Sequence, residues 1–100
     1  MTPHVIQYTV RPEEVIENDR LLAALFAELD EVKPPGLSYT VYKLADSLSY
    51  MHIIELDHGT GGAAMRLGSL KAFHEGIRGR CLAPPARTAL ATLGSYGAQP

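Results

Sequence analysis

The order in which strand-like and helix-like stretches follow one another leaves this chain few folds to choose from. Strand character over residues 5–10 gives way to an apolar helical spacing over 13–32. Two further strand-like stretches occupy 37–44 and 50–57, a second helical spacing covers 69–81, and 87–96 has the composition of a last strand. Strand, helix, strand, strand, helix, strand within 100 residues implies one domain spanning 1–100. Its expected form is α+β, a four-stranded antiparallel sheet with two helices on a single face. The other face then needs cover, and a second copy of the chain is the expected source.

The local signals agree with that order. His4, Ile6, Tyr8 and Val10 share one side of the first strand, while Val5, Gln7 and Thr9 share the other. Pro12-Glu13-Glu14 opens the first helix, proline suiting a first turn and the acids the positive end of the helix dipole. Val15, Asn18, Leu22, Leu25 and Leu29 form its core stripe, and Asn18 is a polar residue inside it that needs a hydrogen-bond partner. Pro34-Pro35-Gly36 stops the helix. The next two strands form a hairpin about Ala45-Asp46-Ser47-Leu48-Ser49, with Tyr50, His52, Ile54 and Leu56 on one face of its second arm. Leu70, Phe73, Ile77 and Cys81 mark the second helix, which Gly76 and Gly79 weaken by roughly 1 kcal/mol each. Both sheet faces carry apolar residues. The face left open holds Gln7, Thr9, Tyr39, Val41, Met51 and Ile53, or else their alternates.

Several functions are excluded on this basis. Nine basic against eleven acidic residues give a formal charge of −2, no basis for a nucleic-acid or anionic-membrane partner. The glycine-rich residues 58–68 contain neither GxGxxG nor GxxxxGK[ST], so a loop, with a short helical turn around 63–67, is expected there rather than a phosphate cradle. No apolar run approaches the ~18 residues of a membrane span, and no signal peptide is evident. With Cys81 the single cysteine, a cytoplasmic setting is the expectation. Four histidines occur without H-x-x-x-H or H-E-x-x-H spacing, so neither a metal nor another cofactor is expected.

The element order is that of the ferredoxin-like βαββαβ fold. RNA-recognition domains of this fold carry an aromatic run that Tyr50-Met51-His52-Ile53-Ile54-Glu55 does not resemble. Acylphosphatases need an anion loop after the first strand, where this chain has Glu13-Glu14. What the chain does resemble is the dimeric α/β-barrel proteins of the antibiotic biosynthesis monooxygenase-like group. The resemblance lies in the Tyr8 strand, the helix ending in Pro34-Pro35-Gly36, the Tyr50-Met51-His52-Ile53 strand and the Gly94-Ser95-Tyr96 finish. The segment from Phe73 to Pro85, with its Phe-x-x-x-Ile-x-x-Arg-Cys spacing, completes it.

The resemblance implies a homodimer formed through the sheet face and a small aromatic or quinol-like ligand between sheet and helices. In the group's cofactor-independent oxygenases, tryptophan, asparagine and histidine or arginine surround such a pocket. Here the counterparts are Asn18, His52 and Arg80, and there is no tryptophan. On this reading His52 deprotonates the substrate and Asn18 positions its oxygen, while Tyr8, Phe73, Ile77 and Arg80 bind it. The carbanion then meets dioxygen directly. Alternatives remain open at each residue. His52 is also readable as a core or interface histidine, Asn18 as the anchor of a loop backbone, and Arg80 as half of a surface ion pair. The tyrosines suit sheet packing, Cys81 suits a packed thiol, and His74 suits a solvent-facing position. Whether the chain is an enzyme stays open too, a non-catalytic ligand-binding dimer or a structural dimerisation module being the alternatives.

Overall fold

In a computed structural model, which describes residues 3–56 and 67–97, the elements follow the expected order. Strand β1 spans His4–Thr9, and a 3₁₀ turn over Pro12–Glu14 leads into helix α1, Val15–Val32. Strands β2 (Leu37–Lys43) and β3 (Ser49–Leu56), helix α2 (Gly68–Arg80) and strand β4 (Ala86–Ala89) complete the fold. The sheet order is β2-β3-β1-β4, with every pairing antiparallel. Two helices on such a sheet make the ferredoxin-like fold. Of the loop expected over 58–68, with its helical turn around 63–67, residues 58–66 lie outside the described residues.

Local chemistry explains the boundaries. Proline at the start of the 3₁₀ turn needs no N–H partner there. Helix α1 ends as Lys33 adopts a left-handed conformation (φ 48°) and its N–H closes on the Leu29 carbonyl at 2.8 Å. Pro34 forbids continuation, and Gly36 at φ 74° takes the turn into β2. In the hairpin, the Ser49 hydroxyl donates to Asp46 Oδ2 at 2.6 Å and the N–H groups of Leu48 and Ser49 to Oδ1 at 2.9 and 2.8 Å, and these bonds, the hydroxyl's first, hold its carboxyl below the usual range.

Register settles which face meets the helices. His52 lies between Ile6 on β1 and Val41 on β2, and Tyr8 pairs with Tyr50, so this row is the helix side. Tyr8, Val10, Leu22, Leu25, Tyr50, Leu70, Phe73 and Cys81 are buried together there, with Tyr39 and Val41 packed against them. Of the residues expected on the open face, Gln7, Thr9, Met51 and Ile53 are on it. Tyr39 and Val41 are not. The pairing Thr40↔Ile53 puts their neighbours Thr40 and Tyr42 outward instead.

The last strand is shorter than the expected 87–96. Its pairing with β1 ends at His4↔Ala89, with one more bond from the Leu90 N–H to the Pro3 carbonyl at 2.8 Å. Residues 91–97 run on without a strand partner among the described residues. Leu93 and Tyr96 are fully exposed on that segment.

Candidate functional site

A chain of polar side chains crosses the buried layer between sheet and helices. Asn18 comes from the first turn of α1 and is 0% exposed; His52, at the centre of β3, is 1% exposed. Arg80, the last residue of α2, is 5% exposed. Three adjacent strands and both helices thus send one group each toward a common line, Tyr8 from β1 and Tyr39 from β2 supplying the rest. Arg80 Nε donates to Asn18 Oδ1 at 3.0 Å. Asn18 Nδ2 donates to Tyr8 Oη at 3.1 Å. Tyr8 Oη lies 2.7 Å from His52 Nε2, and Tyr39 Oη lies 2.9 Å from His52 Nδ1.

The direction of every proton in this chain follows from one fact. A guanidinium can only donate. Asn18 must therefore turn its oxygen to Arg80 and its amide N–H to Tyr8, and Tyr8 accepts. The Tyr8 hydroxyl proton is left for His52 Nε2, because pointing it elsewhere would bury an unpartnered donor at about 1–3 kcal/mol. Nε2 is then an acceptor, and the neutral imidazole carries its proton on Nδ1, donating to Tyr39. Among the described residues no buried side-chain nitrogen or oxygen lacks a partner.

Burial sets the charge states. Desolvation, with a smaller contribution from the positive charge of His74, pushes the His52 pKa down to about 4, so the ring is neutral at pH 7. Burial drives Tyr39 up to about 12, and it drives Tyr8 well above the ordinary phenol value. Both tyrosines stay protonated. Aromatic packing locks the geometry: Tyr8 stacks on Tyr50 with centroids 5.2 Å apart, and His52 is 5.4 Å from Phe73. Arg80 folds back along α2, its guanidinium carbon 4.9 Å from the Phe73 ring centroid and Nη2 3.1 Å from the Phe73 carbonyl. An added Cβ at Gly76 would come within 2.5 Å of Arg80 Nη1, which explains a glycine in mid-helix.

A cavity of about 210 Å³ opens beside this chain. Its walls are Ile6, Tyr8, Phe73, Ile77 and Pro85, with His52 of the polar chain beside them. His74, Arg78 and Arg87 also line it. The structure thus brings Tyr8, His52, Phe73 and Ile77 to one pocket. It places Asn18 and Arg80 outside the lining, one and two hydrogen bonds behind Tyr8. Cys81 is buried in the core, and burial raises its thiol pKa. His74 is exposed yet faces the cavity, its pKa lowered by partial burial and by the charge of Arg87. Among the described residues, no cluster of three His, Cys, Asp or Glu could hold a metal. None of their helices is long and apolar enough to cross a membrane.

Residue-by-residue reading of the sequence did not bring Arg78 and Arg87 to this pocket. Arg78 follows His74 by one helical turn, and Arg87 is level with Ile6 and His52 across the sheet, a placement only register reveals. A second cluster was also missed. Tyr50 Oη donates to Asp19 Oδ1 at 2.5 Å, and Lys43 Nζ lies 2.7 Å from Asp19 Oδ2. Burial raises the Tyr50 pKa and its bond to Asp19 adds to this; the Lys43 and Tyr50 bonds outweigh desolvation at Asp19 and lower its pKa.

The class defined by this architecture is a ferredoxin-like α+β domain with a sealed polar chain beside a small pocket. Solved structures share the architecture over nearly the whole chain. An antibiotic biosynthesis monooxygenase superposes with a TM-score of 0.76 at 12% identity, over 94% of this chain and all of its own. A protein from Mycobacterium tuberculosis gives 0.77 at 17% identity, over 96% and 98%. A variant of SnoaB, a cofactor-independent oxygenase from Streptomyces nogalater, gives 0.68 at 18% identity, over 94% of each chain. No protein-family model matches the sequence, and no curated protein is significantly similar to it. The chain has the fold of the antibiotic biosynthesis monooxygenase-like proteins.

Proposed function

We infer that the protein binds a small aromatic or quinol-like molecule in the cavity at His52 and oxidises it with dioxygen, without a cofactor. The observation that carries this reading is the apolar cavity ending on a neutral, tautomer-fixed histidine. The oxygenase fold-relative adds an analogy at the level of fold. A substrate hydroxyl or activated C–H would pass its proton to Tyr8 Oη while Tyr8 passes its own to His52 Nε2. His52 then acts as a base through Tyr8, Asn18 positions Tyr8, and Arg80 positions Asn18. Dioxygen takes the electrons: from a quinol it takes two electrons and two protons and leaves as hydrogen peroxide, the quinol becoming a quinone, whereas at a ring methylene one oxygen atom enters the product as a carbonyl and the other leaves as water.

The energetics narrow the substrate. Moving a proton from an ordinary phenol to an imidazole of pKa about 4 spans about six pKa units, about 8 kcal/mol. Attraction between the ions formed returns about 4 kcal/mol at 4 Å and an effective dielectric constant near 20. The remainder is compatible with slow turnover and favours substrates more acidic than phenol. The occupied nitrogens of His52 also favour a second reading, ligand binding without catalysis. Oxygen uptake and product analysis with hydroquinone and methylhydroquinone, one-ring quinols of a size the cavity can hold, separate the two. Turnover abolished by His52→Ala supports the oxygenase; saturable binding with no product leaves the binding reading; no binding at all removes both.

The open sheet face and the unpaired 91–97 segment support a homodimer. Val5, Met51 and Ile53 line that face, and Tyr42 stands 55% exposed on it. Face-to-face pairing about a two-fold axis would bury them, and Leu93 and Tyr96 would gain a partner surface. A cytoplasmic setting suits the single buried cysteine.

A further inference from the structure

The geometry points to an anionic ligand for this pocket: a one-ring aromatic carboxylate whose acid group is held by Arg78 and Arg87. The proposal rests on the pocket being a ligand site, as inferred above, and specifies what that ligand must be.

The charge around the cavity is one-sided. Arg78 and Arg87 line it together with His74, and no aspartate or glutamate does. The chain carries eleven acids against nine bases, so acids were available. Arg11, Arg20 and Lys43 have carboxylate partners within 4 Å. Among the described residues neither Arg78 nor Arg87 has one. His74 faces the same cavity, its pKa lowered first by partial burial and then by the charge of Arg87.

Placement makes the two arginines usable at once. Arg87 pairs with Ile6, and Ile6 pairs with His52, so the three form one row across β4, β1 and β3 on the helix side. Strands lie about 4.8 Å apart, which sets Arg87 and His52 about 10 Å from each other at the backbone. Arg78 reaches the same cavity from α2, one turn beyond His74. A single ring can therefore rest on Ile6, Phe73 and Ile77, its carboxylate toward the arginines and a ring hydroxyl toward Tyr8 and His52. A volume of about 210 Å³ is below the roughly 300–1,000 Å³ of drug-sized sites, which holds the ligand to one ring. Guanidinium groups match carboxylates with paired hydrogen bonds, and apolar walls strengthen the attraction.

Titration calorimetry with 2,5-dihydroxybenzoate, its methyl ester and hydroquinone tests the idea. The acid should bind at least tenfold more tightly than the ester. Arg78→Gln and Arg87→Gln should each remove at least that factor for the acid and leave the ester unchanged, both positions being exposed and the fold unaffected. Equal binding of acid and ester, or acid binding indifferent to both variants, overturns the proposal. Ile77→Trp, which fills the cavity, separates the two levels once circular dichroism shows that it folds. If ester and acid bind equally and both are lost in Ile77→Trp, the pocket stands and the anion requirement falls. If nothing binds, or binding survives Ile77→Trp, the pocket reading falls and the proposal with it.

Discussion

Acidification should destabilise the protein through one histidine, by an amount the structure sets. His52 has a pKa of about 4 in the folded chain and about 6.5 when unfolded. Between these values the unfolded chain binds a proton that the folded chain refuses. Stability is therefore complete above the unfolded value and is lost as the pH falls through the window, at up to about 1.4 kcal/mol per unit. From pH 7 to pH 5 the loss comes to about 2 kcal/mol, rising toward about 3 kcal/mol near pH 4. The lowered carboxyls of Glu17, Asp19, Glu28 and Asp46 act in the same direction but only near and below the unfolded carboxylate range, about pH 4. His74 also acts in the same direction, but its exposure keeps its share small, and His74→Gln controls for it. Urea unfolding at fixed protein concentration measures the loss. Its counterpart is His52→Phe, less stable at pH 7 because the hydroxyls of Tyr8 and Tyr39 lose their partner, but much flatter between pH 7 and pH 5. A wild-type loss below about 0.5 kcal/mol over that range, or an equal loss in His52→Phe, would refute the reasoning.

Other outcomes follow from the same packing. Gly79→Ala should stabilise α2 by about 1 kcal/mol, having open space at its Cβ, whereas Gly76→Ala should gain nothing because it displaces the Arg80 guanidinium; equal gains in thermal unfolding would contradict this. Arg80→Met should cost about 1–3 kcal/mol by leaving Asn18 Oδ1 without a donor, and the double variant with Asn18→Leu should cost less than the two single losses combined. Additive losses in that cycle would mean the pair is not coupled. Ile53→Asp should convert a dimer to a folded monomer, seen as a halved mass by light scattering at micromolar concentration, and a wild type already monomeric there would remove the dimer.

The fold was legible because each element carried its own local signal. Pro34-Pro35-Gly36 ended a helix whose apolar spacing had already located it, and two aromatic stretches flanked an aspartate turn. The end of β4 was not legible, because its length depends on where β1 begins, and the small residues from 87 onward carry strand character whether or not a partner is present. The face assignment of β2 failed for a related reason. Leu37, Tyr39 and Val41 alternate with Ser38, Thr40 and Tyr42, and only pairing with β3 decides which set turns inward.

The site divides along the same line. Asn18 could be found from sequence because a polar residue in an apolar helical stripe must be satisfied by something, and His52 because it stands among apolar neighbours on its strand face. What satisfies them could not be found, since Tyr8, Asn18, His52 and Arg80 are separated by 10, 44 and 62 residues along their bonds. Gly76 was visible only as a weakness of α2. In the structure that weakness has a cause, because the helix gives up propensity where the Arg80 guanidinium must lie against it. Arg80 in turn fixes the orientation of Asn18, then of Tyr8, and so the acceptor nitrogen of His52. A local defect in one helix is thereby tied to the protonation of a strand residue beside the pocket. That coupling is why the double-variant cycle and the acid-unfolding experiment probe one device: if Arg80 sets the tautomer, Arg80→Met should change the pH dependence of stability along with its magnitude.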